Sequence, residues 1–296
     1  MTRPRRTPWP ELALLAMTVV WGMSFLTIKW ALDAPCGVLT LNAVRNGIGL
    51  LFLLAVRPKA FAATALEWKA GLLGGSILAG GYVLETAGML EAGAGKSGFL
   101  AQFYVALVPF LQAAVFRRLP AWSDVGSLAL ATTGIAVMVV RPGIAISTGE
   151  ILVALAAIPW AFQIVLVGRV AARIDPIRIA AIQVGVIAAV SGVSLVFVRE
   201  PMPVWRPALV GHVVYLGVLA SAAGVLVQAW AQRRVSPTRT AVLLCGQPVF
   251  AVLFATWLTG ETFDVRDAAG AALIMAAVVL TVVMQRNDAP DAAAGR

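Results

Sequence analysis

The stretch GEILVALAAIPWAFQIVLVGR, residues 149–169, decides the fold. Between Glu150 and Arg169 it carries no charged side chain. A helix of about 20 such residues crosses a hydrocarbon core of about 30 Å. Nine further stretches read the same way: residues 11–32, 38–56, 69–89, 97–116, 123–140, 177–198, 208–230, 239–258 and 265–285. The spacers between them are short and rich in Pro, Gly and charge, as in Arg57-Pro58-Lys59, Arg173-Ile174-Asp175-Pro176 and Arg233-Arg234-Val235-Ser236-Pro237. None is long enough for a soluble domain. Backbone inside a bilayer must satisfy its own hydrogen bonds, which an α-helix does within each segment. The reading is an all-α integral membrane protein with ten transmembrane helices.

Composition agrees. Of 296 residues, 60% are hydrophobic and 12% are charged, against about 25% charged in soluble domains. That excludes a soluble enzyme, a disordered chain and a nucleic-acid binder. The net charge of +9 comes from 23 Lys and Arg scattered in ones and twos, which build no face that tracks phosphates. They report topology instead. With a cytoplasmic N-terminus, sixteen basic residues fall in cytoplasmic segments and six opposite, with Arg45 left inside the second helix. Such a bias orients short-looped membrane proteins. Both termini are then expected in the cytoplasm, with tails at 1–9 and 287–296, in the bacterial inner membrane. Arg3, Arg5 and Arg6 precede the first helix like a signal-peptide head. The apolar run is too long for one and no A-x-A site follows, so the helix is read as retained. Two cysteines, Cys36 and Cys245, and one histidine, His212, exclude a disulfide scaffold and argue against a metal site. No cofactor is expected.

The two halves, 10–141 and 149–286, look alike. Trp21-Gly22 matches Trp160-Ala161 at a spacing of 139, and Tyr104 to Phe110 matches Leu243 to Val249 at the same spacing, with Pro109 on Pro248. Glu85 and Gln228 lie 143 apart, as do Lys96 and Arg239, so the fourth helix carries four extra residues. Five helices per half force the second half to enter the membrane from the opposite side. The result is two inverted five-helix repeats around a central cavity, an arrangement of many secondary transporters.

These residues also resemble a family. Tyr215-Leu216-Gly217-Val218, the run from Arg234 to Arg239, Gln247-Pro248-Val249-Phe250 and Gly260-Glu261 resemble the EamA-type repeat of the drug/metabolite transporter superfamily. So do Ala94 to Phe99, leading to Val108-Pro109, and Trp21-Gly22 with Phe25 and Lys29. The resemblance covers about residues 10–285 and implies ten helices in two inverted bundles, with export of metabolites, amino acids among them. Exporters of aromatic and other neutral amino acids are the nearest likeness. The first half departs from the pattern with Leu119-Pro120 where the second has Gly260-Glu261, and with Glu85 where glutamine is expected.

Polar groups inside membrane helices are costly and face a bundle interior or a water-filled cavity. They are Ser24, Thr27, Asn42, Arg45, Asn46, Glu85, Gln102, Gln163, Gln183, Ser221, Gln228 and Gln247. Helices 5 and 10 carry few, so helices 1–4 and 6–9 are expected to line a cavity, with 5 and 10 peripheral and available for a dimer contact. The expected substrate-binding set is Trp21, Ser24, Phe25, Asn42, Tyr82, Glu85, Gln102, Trp160, Gln163, Gln228 and Gln247. Phe99, Phe103, Tyr104, Phe162 and Trp230 accompany them. Trp21 and Trp160 lie near the midplane, where no headgroup satisfies an indole N–H. Trp9, Trp30, Trp68, Trp122, Trp205 and Trp257 sit near helix ends as interfacial anchors. Pro109, Pro159 and Pro248 lie inside helices and are read as hinges, because proline removes a backbone hydrogen bond. Glu85, the one carboxylate well inside a helix, is read as a structural partner of Arg45 or Lys96, with a proton site or an ammonium contact as the functional alternative.

No P-loop, H-E-x-x-H, G-x-S-x-G or intrahelical carboxylate pair occurs, so neither catalysis nor ATP hydrolysis is expected. The expected function is secondary export of small metabolites by alternating access, with amino acids as partners alongside membrane lipid, and a monomeric or homodimeric protein. A lone carboxylate whose repeat partner is Gln228 is a thin basis for obligate proton coupling, so transport is expected to run downhill. The alternatives are a proton-coupled drug or metabolite exporter and an integral membrane lipid-modifying enzyme.

Overall fold

The computed structural model describes residues 8–117, 122–139, 147–260 and 264–287. Most of both tails, the connection at 140–146, Leu119-Pro120 and Glu261 lie outside the described residues. Ten helices run through the rest: α1 (Trp9–Asp33), α2 (Val38–Val56), α3 (Ala65–Gly88), α4 (Ala94–Phe116), α5 (Trp122–Val139), α6 (Thr148–Val170), α7 (Pro176–Ser194), α8 (Pro207–Ala231), α9 (Pro237–Thr259) and α10 (Val265–Asn287). No strand occurs among the described residues. Eight of these helices are long and apolar enough to cross a membrane. α3 is long enough, but its glycines and Glu85 dilute it, and α5 carries only a shorter apolar core.

Side-chain caps set several helix starts. Thr64 and Glu67 form a reciprocal capping box on α3, and Ser147 and Glu150 form another on α6. Such a pair satisfies two otherwise orphaned backbone donors. At the start of α2 the cap comes from far along the chain. The Glu200 carboxylate accepts from the Leu39 and Thr40 amides at 2.9 and 2.8 Å.

The halves interleave by contacts that exchange under the repeat. α1 packs on α9 as α6 packs on α4, and α2 packs on α8 as α7 packs on α3. α5 packs on α10. The sequence leaves α5 and α10 peripheral; in the fold each is the other's neighbour across the halves. There a Cβ on Gly134 would meet the Gly270 carbonyl at 2.8 Å. α2 and α8 approach as closely, since a Cβ on Gly217 would lie 2.4 Å from the Arg45 carbonyl. Small residues allow such approaches between membrane helices.

Three helices are irregular. α4 breaks at Gln102–Phe103 and α9 at Cys245–Gly246, positions 143 apart and each eight residues into its helix. α8 winds as a π-helix over Leu216–Ala223. Pro248 is therefore not in the interior of a continuous helical segment. It stands in the first turn of the segment after the break, where a missing N–H costs nothing. Pro109 and Pro159 do lie inside helical segments.

Candidate functional site

Where the halves meet, a cavity of about 50 Å³ is enclosed by α1, α2, α3, α4, α6, α8 and α9. That is large enough to hold water, which needs at least about 10–15 Å³. Of the expected substrate-binding set, Trp21, Ser24, Phe25, Tyr82, Glu85, Gln102, Trp160, Gln228 and Gln247 line it, together with Arg45, Tyr104 and Ser221. Ile28, Ala101, Ile164, Ala220 and Leu244 complete the wall. Asn42 and Gln163 do not. α7 gives no wall residue, although the sequence counts it among the lining helices. Phe103, Phe162 and Trp230 are also exposed away from the site, at 37%, 46% and 37%.

The two repeat-related tryptophans each spend the indole N–H inside the protein. Trp21 Nε1 donates to the Ala220 carbonyl at 2.7 Å, within the π-helical part of α8. A π-turn redirects carbonyls out of the regular ladder and is common at functional sites. Trp160 Nε1 donates to Glu85 Oε2 at 3.0 Å. Its ring lies 5.4 Å from the Tyr82 ring at 37°. The other neighbour of Tyr82 is Arg45, with the guanidinium carbon 4.4 Å from the ring centroid. A cation over an aromatic face in a desolvated place gains about 2 kcal/mol.

The structural pairing of Glu85 read from the sequence is not formed. No ion pair joins Glu85 to Arg45, and Lys96 instead pairs with Glu150 at the start of α6. The sequence could not supply this, since both outcomes depend on which face of each helix packs inward. Arg45 is 3% exposed, and its Nε has no hydrogen-bond partner among the described residues.

Behind the cavity the glutamines form a ladder. Gln228 Nε2 donates to Gln163 Oε1 at 2.8 Å, and Gln163 Nε2 donates to Gln183 Oε1 at 3.4 Å. Gln232, which the sequence reading passed over beside the Arg233-Arg234 turn, accepts from Gln228 at 3.3 Å and donates to the Ile164 carbonyl at 2.8 Å. Gln163 thus holds Gln228 rather than facing the cavity. Asn42 has a similar place: its amide donates to the Tyr82 carbonyl at 3.3 Å, and its oxygen accepts from Thr86. Across the two broken helices, Gln102 Nε2 donates to Gln247 Oε1 and Gln247 Nε2 to the Tyr104 hydroxyl, both at 3.4 Å.

A family model for the EamA-like transporter family matches residues 8–140 and again residues 147–283. The chain belongs to the EamA-like transporter family. An uncharacterized transporter of Archaeoglobus fulgidus is 25% identical over 272 residues, covering 92% of this chain and 85% of the relative. A solved crystal structure superposes with a TM-score of 0.75, covering 94% of this chain and 97% of the other at 19% identity. That likeness concerns the fold. This EamA-like chain is a multi-pass membrane transporter, and the cavity lies between its two matched halves.

Of the ion pairs that bridge the halves of this transporter, two stand at repeat-related positions. Lys96 meets Glu150, and Arg239 Nε meets Asp124 Oδ1 at 2.9 Å. Lys96 and Arg239 are the repeat-related residues that open α4 and α9. Each pairs with the first turn of a helix from the other half.

Proposed function

We propose that this transporter exports amino acids, aromatic and other neutral ones, across a bacterial inner membrane by alternating access. The observation that carries the reading is the cavity. It is enclosed by both halves and walled by Trp21, Phe25, Tyr82, Tyr104 and Trp160, with Arg45 as the one cation and Glu85 as the one carboxylate among the described lining residues. Aromatic walls suit apolar side chains. One cation and one carboxylate suit a solute that carries both charges and no net charge. Broken helices facing a site between inverted halves are the usual construction of secondary transporters, which supports alternating access about α4 and α9. At about 50 Å³ the site must widen to admit an amino acid.

The basic-residue bias supports cytoplasmic termini. Glu85 is the one carboxylate among the lining residues and its repeat partner Gln228 cannot titrate, which supports downhill transport with the solute gradient setting direction. Membrane lipid and a monomeric or homodimeric chain complete the reading. The test is flux of radiolabelled L-phenylalanine and L-leucine in liposomes holding only the purified protein. Saturable flux above protein-free liposomes supports the reading, and flux equal to protein-free liposomes for all amino acids removes it.

A further inference from the structure

We infer that Arg45 is the specificity-determining residue of the cavity: it receives the solute carboxylate, while Glu85 receives the ammonium. The inference rests on the amino-acid reading above and goes further, assigning each pole and excluding solutes that lack either charge. Arg45 is 3% exposed and Glu85 8%, both line the same cavity, and no ion pair joins them. Two buried opposite charges in one small space ordinarily neutralise each other, because an unpaired buried charge costs several kcal/mol. Here the two interact electrostatically without closing an ion pair, and each is held by an aromatic partner. The guanidinium stacks on Tyr82 at 4.4 Å, Tyr82 lies against Trp160 at 5.4 Å, and Trp160 Nε1 holds Glu85 Oε2 at 3.0 Å.

That chain of contacts fixes both poles and leaves each incomplete. Arg45 Nε has no hydrogen-bond partner among the described residues, and the planar fork of the guanidinium matches a carboxylate with two parallel bonds. Glu85 gives one oxygen to Trp160 and keeps its other for a donor. A molecule with an ammonium at one end and a carboxylate at the other satisfies both. An amine brings a second cation to Arg45, and an organic acid brings a second anion to Glu85; each leaves one buried charge unpaired. Sites built this way reject analogues that lack one partner far more strongly than an apolar pocket rejects a changed methylene.

The experiment is competition in liposomes loaded with unlabelled L-phenylalanine, reading entry of radiolabelled L-phenylalanine. The competitors are L-leucine, phenethylamine (no carboxylate) and 3-phenylpropionate (no ammonium). L-Leucine is expected to compete at least tenfold better than either analogue. Arg45→Gln is expected to raise the KM for L-phenylalanine at least tenfold and to abolish the discrimination against phenethylamine. Arg45→Lys, which keeps the charge without the fork, recovers part of both. Gel filtration establishes that each variant is folded, and the wild-type competition profile stands without any variant. Equal competition by all three compounds, or an unchanged KM in Arg45→Gln, overturns the inference while leaving an amino-acid exporter. No entry of label in wild type overturns the exporter reading itself, and the inference with it.

Discussion

Adding one methyl group at Gly224 tests how the tryptophan of α1 is seated. A Cβ there would lie 2.6, 2.7 and 2.8 Å from Trp21 Cζ2, Nε1 and Cε2. Ordinary contact begins near 3.4 Å, so the ring must retreat by about 0.8 Å. The acceptor of its N–H, the Ala220 carbonyl, lies one turn away on the same face of α8 at 2.7 Å. A retreat from Gly224 therefore stretches that bond toward about 3.5 Å, the limit of a hydrogen bond. Leaving a buried donor unsatisfied costs about 1–3 kcal/mol. Alanine in place of glycine within a helix returns about 0.5–1 kcal/mol. The net expectation for Gly224→Ala is a loss of up to about 2.5 kcal/mol, centred near ~1 kcal/mol, and a midpoint lower by a few degrees, taking about 2–4 °C per kcal/mol. The control is Gly211→Ala on the same helix, where a Cβ meets nothing within 4 Å; it should leave the midpoint unchanged or raise it. Thermal unfolding of both variants in one detergent reads the difference. Because Trp21 also lines the cavity, Gly224→Ala should raise the KM for solute while Gly211→Ala does not. Equal midpoints and equal KM values for the two variants would refute the seating of Trp21 on Gly224.

Three other outcomes follow from the same geometry. Thr148→Cys, exposed beside the α6 cap, should react with an impermeant maleimide in intact, outer-membrane-permeabilised cells, and reaction only after inner-membrane lysis would invert the topology. Wild type should stay silent in that assay: Cys36 and Cys245 are buried, and burial, then the Glu200 carboxylate, pushes the Cys36 thiol up to about 11, which leaves on the order of one thiolate in ten thousand at pH 7. Glu85→Gln keeps an acceptor for Trp160 and should retain substantial flux at saturating solute with KM raised about tenfold, the ~1.4 kcal/mol of a lost charged contact; uphill movement driven by a pH gradient in wild type and abolished by the substitution would instead make Glu85 a proton site. Glu150→Ala removes a cap and an ion pair and should cost about 1–2 kcal/mol, whereas Lys96→Ala removes a half-exposed partner and should cost under about 1 kcal/mol; the reverse order in thermal unfolding would contradict the capping role.

Much of this architecture is legible in the sequence because bilayer physics is strict. Long apolar runs have few alternatives to a helix, and the repeat spacing of Trp21 with Trp160 and of Pro109 with Pro248 exposes the two halves. The site residues are legible as a set for the same reason, since polar groups inside such helices stand out. What could not be read is which face each one takes. These helices are apolar nearly all round, so no stripe marks the inward side. Asn42 and Gln163 consequently hold Tyr82 and Gln228 from behind. Glu85 bonds Trp160 rather than a cation. The π-turn of α8 carries no proline to announce it, and α4 breaks seven residues before Pro109, at Gln102. The π-turn lies where Gly217 approaches the Arg45 carbonyl and where the Ala220 carbonyl accepts from the indole of Trp21, contacts set by the tertiary fold.

The most direct measurement is counterflow in liposomes that contain the purified protein and an excess of unlabelled L-phenylalanine. Dilution into a trace of labelled L-phenylalanine is expected to give transient accumulation of label above its external concentration, with no pH gradient or nucleotide supplied. Label that stays at the level of protein-free liposomes, for phenylalanine and for every other neutral amino acid, would contradict export of amino acids through this cavity.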